Sequence, residues 1–314
     1  MRALTGEQFE LVRAAGDRPS RAIITEVAAG LRLLEIDGVE LIESYPESAV
    51  PPFGAGIVLA PWPNRIRDGR WLLDGAPQQL DLTEVDKNNA LHGLLRTRPY
   101  RVVEREAHAI VLAATVHPQH GYPFLVDTTV RYELVDDGLT VTHGFTNAGE
   151  AAAPVAVGAH PFFRVGSTPI EELTLTLAAA TRFVTDDRLN PIGQEPVDGT
   201  AYDFRTGVRV GELDLDDAFG GVLPGADGVA RHRLTASDGR YTEVWQGPDF
   251  GFVQMFTPRR FPRPTKEDPM AKGLAIAIEP MTAPPDAFNS GLGVIWLQPG
   301  QSWSGSWGVT HGRH

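Results

Sequence analysis

Cysteine is absent from this sequence, which excludes disulfides, thiolate nucleophiles, iron–sulfur clusters and cysteine zinc sites. Long apolar runs are missing as well. None approaches the roughly 20 residues that cross a bilayer, and the opening MRALTGEQFELVRAAGD carries charge throughout with no apolar signal core. A cytoplasmic location without a membrane partner is therefore expected. Basic residues are scarce beside acidic ones, 28 Lys and Arg against 40 Asp and Glu, for a net charge of −12. That balance argues against a nucleic-acid partner, whose phosphates need a basic face. It also disfavours a strongly anionic substrate, unless a local basic pocket overrides the global charge. Helical periodicity is rare, and the first dozen residues are its clearest candidate. No glycine-rich phosphate loop, zincin His–Glu spacing or serine nucleophile elbow occurs. Acid–base chemistry by His, Asp and Glu remains, or binding without chemistry.

What is present is a succession of short alternating segments. RAIITEVAAGLRLLEIDGVELI, YRVVEREAHAIVLAATV and EELTLTLAAATRFV all read as strands broken by Gly, Pro, Asp and Asn. In VRYELVDDGLTVTHGF an Asp-Gly between two alternating runs predicts a hairpin. GVIWLQPGQSWSGSWGVTH predicts two strands around a Pro-Gly turn, with the closing HGRH as a loose tail. Thirty-three glycines and 25 prolines supply turns without concentrating into a linker. The expectation is one all-β domain over residues 1–314, built as a large antiparallel β-sandwich.

Two strand ends stand out. In GLAIAIEPMTAPPDAFNSG, Leu274, Ile276 and Ile278 alternate with Ala275, Ala277 and Glu279, so a carboxylate closes a face of methyl groups. In PVAVGAHPFFRV, His160 closes a face of Pro154, Ala156 and Gly158. Small residues beside a titratable terminus leave room for a ligand on the sheet; tight sheet packing is the alternative. APWPNRIRDGRW sets Asn64 and Arg65 after a proline-rich turn, where a guanidinium can fork onto ligand oxygens, while Arg67 and Arg70 read as solvated. NNALHGLLR places His92 in a polar loop, and LDLDDAFGG offers a second carboxylate, Asp216. Among the remaining histidines outside the closing HGRH only His117 and His120 are close in sequence, and Pro118 between them disfavours a helical ligand face, so no metal is expected. The set suits proton transfer on a neutral polyhydroxylated molecule.

At these residues the sequence resembles the aldose 1-epimerase (galactose mutarotase) family. PNRI with Arg65, NALHG with His92, HPFF with His160, LDDAF with Asp216 and IEPMTAPPDAFN with Glu279 occur in the family's order. The resemblance implies a β-sandwich whose concave face holds a free sugar. It implies Glu279 as general base at the anomeric hydroxyl and His160 as general acid at the ring oxygen. Arg65, His92, Asp216 and Asn64 would bind hydroxyls, with no cofactor or metal, in a monomer or homodimer. The sequence departs from the family at Trp62, Pro63, Arg164 and Val165, which bears on which sugar is taken. A hexose-6-phosphate epimerase, with Arg164 or Arg67 on the phosphate, is the nearest alternative reading. A non-catalytic sugar-binding module and a glycoside hydrolase using Asp216 and Glu279 are the others. The acidic charge favours a neutral hexose.

Overall fold

The computed structural model describes residues 2–14, 19–264 and 266–313. Among them strands dominate, and Ala287–Ser290 is the single α-helix. Two large antiparallel sheets, of nine and eight strands, organise the chain. The alternation that marked the strands also decides which face each presents. In Val126–Val135, Val126, Thr128, Val130, Tyr132 and Leu134 are buried while the intervening residues reach towards solvent. Inward residues of the nine-stranded sheet (Val130, Val141, Val309) and of the eight-stranded sheet (Phe219, Val253, Ile278) join one core cluster. Two half-polar sheets that hide their apolar faces against each other form the expected β-sandwich. Each fully buried aliphatic contributes roughly 1.5–3 kcal/mol relative to exposure.

The predicted hairpin forms between Val126–Val135 and Gly138–Asn147, with Asp136 and Asp137 at its tip. Gly138 is already in the strand, where an added Cβ would lie 1.8 Å from the Val309 carbonyl oxygen, so close packing requires glycine there. The Pro-Gly segment likewise separates strands Ile295–Leu297 and Ser302–Arg313, although they join different sheets.

Two expectations fail. The opening residues are not helical: Gln8–Arg13 is a strand paired with Ser20–Thr25, Phe9 opposite Ile24 and Leu11 opposite Ala22. Phe9 and Leu11 are buried and Glu10 and Val12 exposed, so period-two alternation prevails over a weak helical tendency. Nor is His311 in a loose tail. It lies in the long final strand, where its Nδ1 is 2.8 Å from the Tyr241 carbonyl oxygen; His314 lies outside the described residues.

Candidate active site

Four neighbouring strands of the eight-stranded sheet carry the floor of a cleft. Along Asp216–Val222, Phe252–Phe256 and Ile276–Met281 the register sets Asp216 opposite Phe256 and Gln254 opposite Glu279. On the other flank Gly158 faces Met281 and Phe162 faces Ala277, which brings His160 opposite Glu279. The His160–Pro161 step interrupts that strand. Its backbone is held instead by the His160 N–H donating to Ile57 O (3.1 Å) and the Gly56 N–H donating to His160 O (2.8 Å). Above this floor opens a cavity of about 270 Å³, lined by all six predicted residues and by Glu84, Arg96, Gln254 and Phe256 among others.

His160 Nε2 lies 3.3 Å from Glu279 Oε1, with both side chains almost completely buried. Removing a carboxylate and an imidazolium from water costs several kcal/mol for each ion. Burial, the main cause, therefore pushes Glu279 well above the usual carboxylate range, and neighbouring Asp216 adds to the rise. Burial pulls His160 down to about 4. Both shifts favour a neutral pair that holds one proton between them. Glu279 Oε2 and His160 Nδ1 are buried without a protein hydrogen-bond partner.

The rim is built by loops. Asn64 and His92 both adopt left-handed backbone conformations, φ +56° and +62°, a local strain that tends to gather at functional sites. They lock each other in place: the His92 N–H donates to Asn64 O (2.9 Å) and the Asn64 N–H donates to His92 Nδ1 (3.2 Å). With Nδ1 accepting, neutral His92 carries its proton on Nε2. Burial, then the electrostatic influence of His160, Arg65 and Arg96, holds it well below its ordinary value. Gly93 follows with φ +72°, and a Cβ there would meet Ala60 O at 2.1 Å, so no other residue fits without moving the loop.

Arg65 makes a fork with Glu84, Nε to Oε2 and Nη2 to Oε1 at 2.9 Å each, and reaches Asp216 Oδ2 at 3.4 Å. Gln254 links the next two groups. Its Nε2 donates to Asp216 Oδ1 (2.7 Å), and its Oε1 accepts from Asn64 Nδ2 (3.1 Å). The result is a continuous chain of donors and acceptors, Glu84–Arg65–Asp216–Gln254–Asn64, beside the His160–Glu279 pair. Such an array presents both donors and acceptors to a polyhydroxylated ligand while each member stays in place.

All six predicted site residues thus meet in one cleft. The reason offered for the alanine face needs correction. Ala275 and Ala277 are fully buried beneath Phe162 and Phe261 in a small apolar cluster and do not line the cavity. Their small size admits an aromatic wall; it does not clear a floor. Arg164 and Arg67 also lie elsewhere. Arg164 pairs with Glu40 at 3.0 Å and its Nε donates to Gly166 O, whereas Arg67 donates to Pro191 O. Trp62 is buried in the core against Phe288. Sequence reasoning missed Glu84, Gln254 and Arg96. Arg96 ends the quoted NNALHGLLR, four residues beyond His92, and only that proximity could have drawn attention to it.

The molecule is thus an antiparallel β-sandwich with a cleft lined by hydrogen-bonding groups on one sheet. A family model described as aldose 1-epimerase matches residues 21–310. The chain belongs to the aldose 1-epimerase family. It is 32% identical over 289 residues, 92% of this chain and 88% of the relative, to the uncharacterized protein YihR of Escherichia coli strain K12. Human galactose mutarotase is 30% identical over 182 residues, which span 56% of this chain and 51% of the mutarotase. The aldose epimerase homologue from C. elegans superimposes with a TM-score of 0.83 over 98% of this chain and 99% of that one, at 18% identity. Galactose 1-epimerase from Lactobacillus acidophilus gives 0.78 over 98% and 99%, at 19% identity. At such identities the two structures establish the shared fold.

Proposed function

We propose that the protein is an aldose 1-epimerase, which interconverts the α and β anomers of a hexose whose C1 hydroxyl is free. The observation that carries this reading is the His160–Glu279 contact of 3.3 Å between directly opposed residues at the base of a cleft lined by hydrogen-bonding groups. In the ring-opening direction Glu279 acts as general base and removes the proton from O1, while His160 as general acid protonates O5. The C1–O5 bond breaks, the O1–C1 bond becomes the aldehyde carbonyl, and O5 leaves as a hydroxyl. Rotation about C1–C2 exposes the other carbonyl face. Closure runs the transfers in reverse: Glu279 returns a proton to O1 and His160 accepts one from O5.

The electrostatics support this cycle. To open the ring the pair passes from its neutral resting form to carboxylate and imidazolium by moving one proton from Glu279 to His160; opening returns it to carboxylic acid and imidazole. Both forms hold one proton between the two groups, and burial favours the second. Desolvation therefore supplies a driving force for proton transfer in the opening step. Asn64, Arg65, His92, Asp216 and Gln254 orient the hydroxyls through the hydrogen-bond chain, so the ring is held while its anomeric bond changes. The pair sits side by side on adjacent strands, which suits O1 and O5, two oxygens on the same carbon. Freshly dissolved α-glucose and α-galactose, followed by polarimetry, test the reading. An enzyme-dependent acceleration towards the equilibrium rotation is expected. No acceleration with any free aldose would defeat it in favour of a non-catalytic sugar-binding role.

A further inference from the structure

The hydrogen-bond chain leaves the apolar part of the cleft without a task. Phe53, Ile57 and Phe256 line the same cavity. The Phe53 ring stands edge-on to Phe256 at 5.9 Å and stacks on Phe261 at 6.2 Å between centroids. Phe261 is buried, but Phe53 stays 42% exposed, and among the described residues it is the exposed aromatic that lines the cavity. Its backbone is also unusual. Phe53 lies in the turn Pro52–Gly54 with φ +52° and ψ +25°, a left-handed conformation in which the Cβ of a bulky residue crowds a carbonyl oxygen. The fold enforces it. The Gly54 N–H donates to Pro51 O (3.1 Å) and the Ala55 N–H to Pro52 O (2.9 Å), while the proline rings restrict φ at 51 and 52. The same segment is tied to the catalytic pair, since the Gly56 N–H donates to His160 O. An apolar ring is thus held towards water at a backbone cost. Core packing does not account for that, whereas a ligand that covers the ring does.

We propose that Phe53 is a substrate-stacking residue whose ring packs against the C–H face of the bound pyranose. The inference rests on the cleft being a sugar site. A pyranose is amphipathic: hydroxyls surround its rim, and C–H groups cover its faces. Rim hydroxyls suit the chain Glu84–Arg65–Asp216–Gln254–Asn64, and that leaves a C–H face to be covered. An aromatic face is negative at its centre and attracts weakly positive hydrogens, so Phe53 meets that need. The polar and apolar parts adjoin for a structural reason. Gln254 and Phe256 are two residues apart on one strand and share a face, while Asp216 stands opposite Phe256 in the register. The Phe256 ring lies edge-to-face with His160 at 6.4 Å, and a Cβ on Gly54 would stand 3.9 Å from His160 Cδ2. The platform therefore borders the general acid, at the edge of the sugar that carries O5. Stacking selects the closed ring, the form on which the pair acts, and disfavours sugars with an axial hydroxyl on the packed face.

The test uses the full-length protein and the variants Phe53→Ala, Phe53→Gly and Phe53→Tyr. Calorimetry measures binding of a panel of free hexoses and their 6-substituted forms. Exchange NMR gives KM and kcat on the sugar that binds best, and urea denaturation gives stability. Phe53→Ala and Phe53→Gly should both weaken binding and raise KM by about 3–10-fold, the worth of one aromatic contact, with kcat changed much less. Phe53→Tyr, which keeps the ring, should stay close to wild type. Phe53→Gly should be at least as stable as Phe53→Ala, because glycine fits the left-handed turn. Equal loss of binding in these two, whatever their stability, separates contact with the sugar from support of the wall. Binding unchanged in Phe53→Ala, binding that recovers in Phe53→Gly, or a loss confined to kcat would each overturn the proposal. Ring-dependent binding without anomer exchange would uphold Phe53 and defeat the epimerase reading. Exchange with binding indifferent to the ring would do the reverse. A panel in which no sugar binds would remove both.

Discussion

The protein buries histidines in two regions, and only one of them has the makings of an active site. In the nine-stranded sheet, His143 and His232 are as inaccessible as His160, and burial pulls them down to about 3 and about 4 respectively. Their partners, however, are neutral. His143 Nε2 accepts from the Trp307 indole at 3.1 Å, and His232 lies between the Ala178 N–H (3.1 Å) and Gln246 Oε1 (2.7 Å). Neither lines the sugar-sized cavity. His160 has an equally low proton affinity, but it faces a buried carboxylate across 3.3 Å at the base of a cleft. A depressed histidine is therefore not by itself a sign of chemistry. The sign is a second titratable group of opposite tendency, placed where a ligand can exchange protons with both.

The sharpest way to break this comparison is to exchange the roles of the two regions. Glu279→Gln and His160→Gln should each lower kcat for anomer exchange by about 10²–10⁴-fold, the usual worth of a positioned acid or base. His232→Gln should do the opposite: kcat stays within a few-fold of wild type, while stability falls by roughly 1–3 kcal/mol from a disturbed buried hydrogen bond. Denaturant melts alongside kcat measurements separate the two patterns. A His232 variant that loses turnover without losing stability would erase the distinction.

The pH dependence sharpens it further. His143 and His232 are neutral in the fold but take up protons near 6.5 when unfolded. The unfolded state therefore binds more protons between about pH 6.5 and their folded values near 3 and 4. Stability is full above that window and declines as pH falls through it, by about 1.4 kcal/mol per pH unit for each histidine. Replacing both with Gln should flatten the acid limb of a stability-versus-pH curve measured by urea denaturation. An unchanged slope would mean that these side chains are not buried as neutral groups.

A smaller effect is expected at the rim. Glu84→Gln removes the charge that holds the Arg65 fork, and with it the geometry Arg65 offers to hydroxyls. We expect KM to rise about 10-fold, the worth of roughly one charge-assisted hydrogen bond, with kcat changed much less. Full kinetics on one neutral hexose would check it. A fall in kcat at constant KM would move Glu84 from binding into the chemical step.

These contrasts also explain how far the sequence could be read. Glu279 and His160 were legible because period-two alternation placed each beside small residues on one strand face, and sheet register then brought them together, although Glu279 lies inside strand Ile276–Met281 and not at its end. Asp216, Arg65, Asn64 and His92 were found through short motifs that lie in the cleft wall. Glu84, Gln254 and Arg96 were not, because their roles arise through space: Gln254 matters by standing opposite Glu279 and touching Asp216, 38 residues away in sequence. The same limit misled the reading of Ala275 and Ala277. Small residues mark available volume, and only the packing of Phe162 and Phe261 reveals what fills it. At the amino terminus, Phe9 and Leu11 were buried by pairing with Ser20–Thr25, a contact that local propensity does not weigh.

Anomer exchange observed directly tests the central claim, that the Glu279–His160 pair moves protons on a sugar. Two-dimensional exchange NMR on an equilibrated aldose reads α-to-β flux without a coupling enzyme and without net reaction. The account predicts exchange cross-peaks that scale with wild-type protein and vanish to the uncatalysed level with correctly folded Glu279→Gln. Cross-peaks of undiminished intensity in that variant would contradict it.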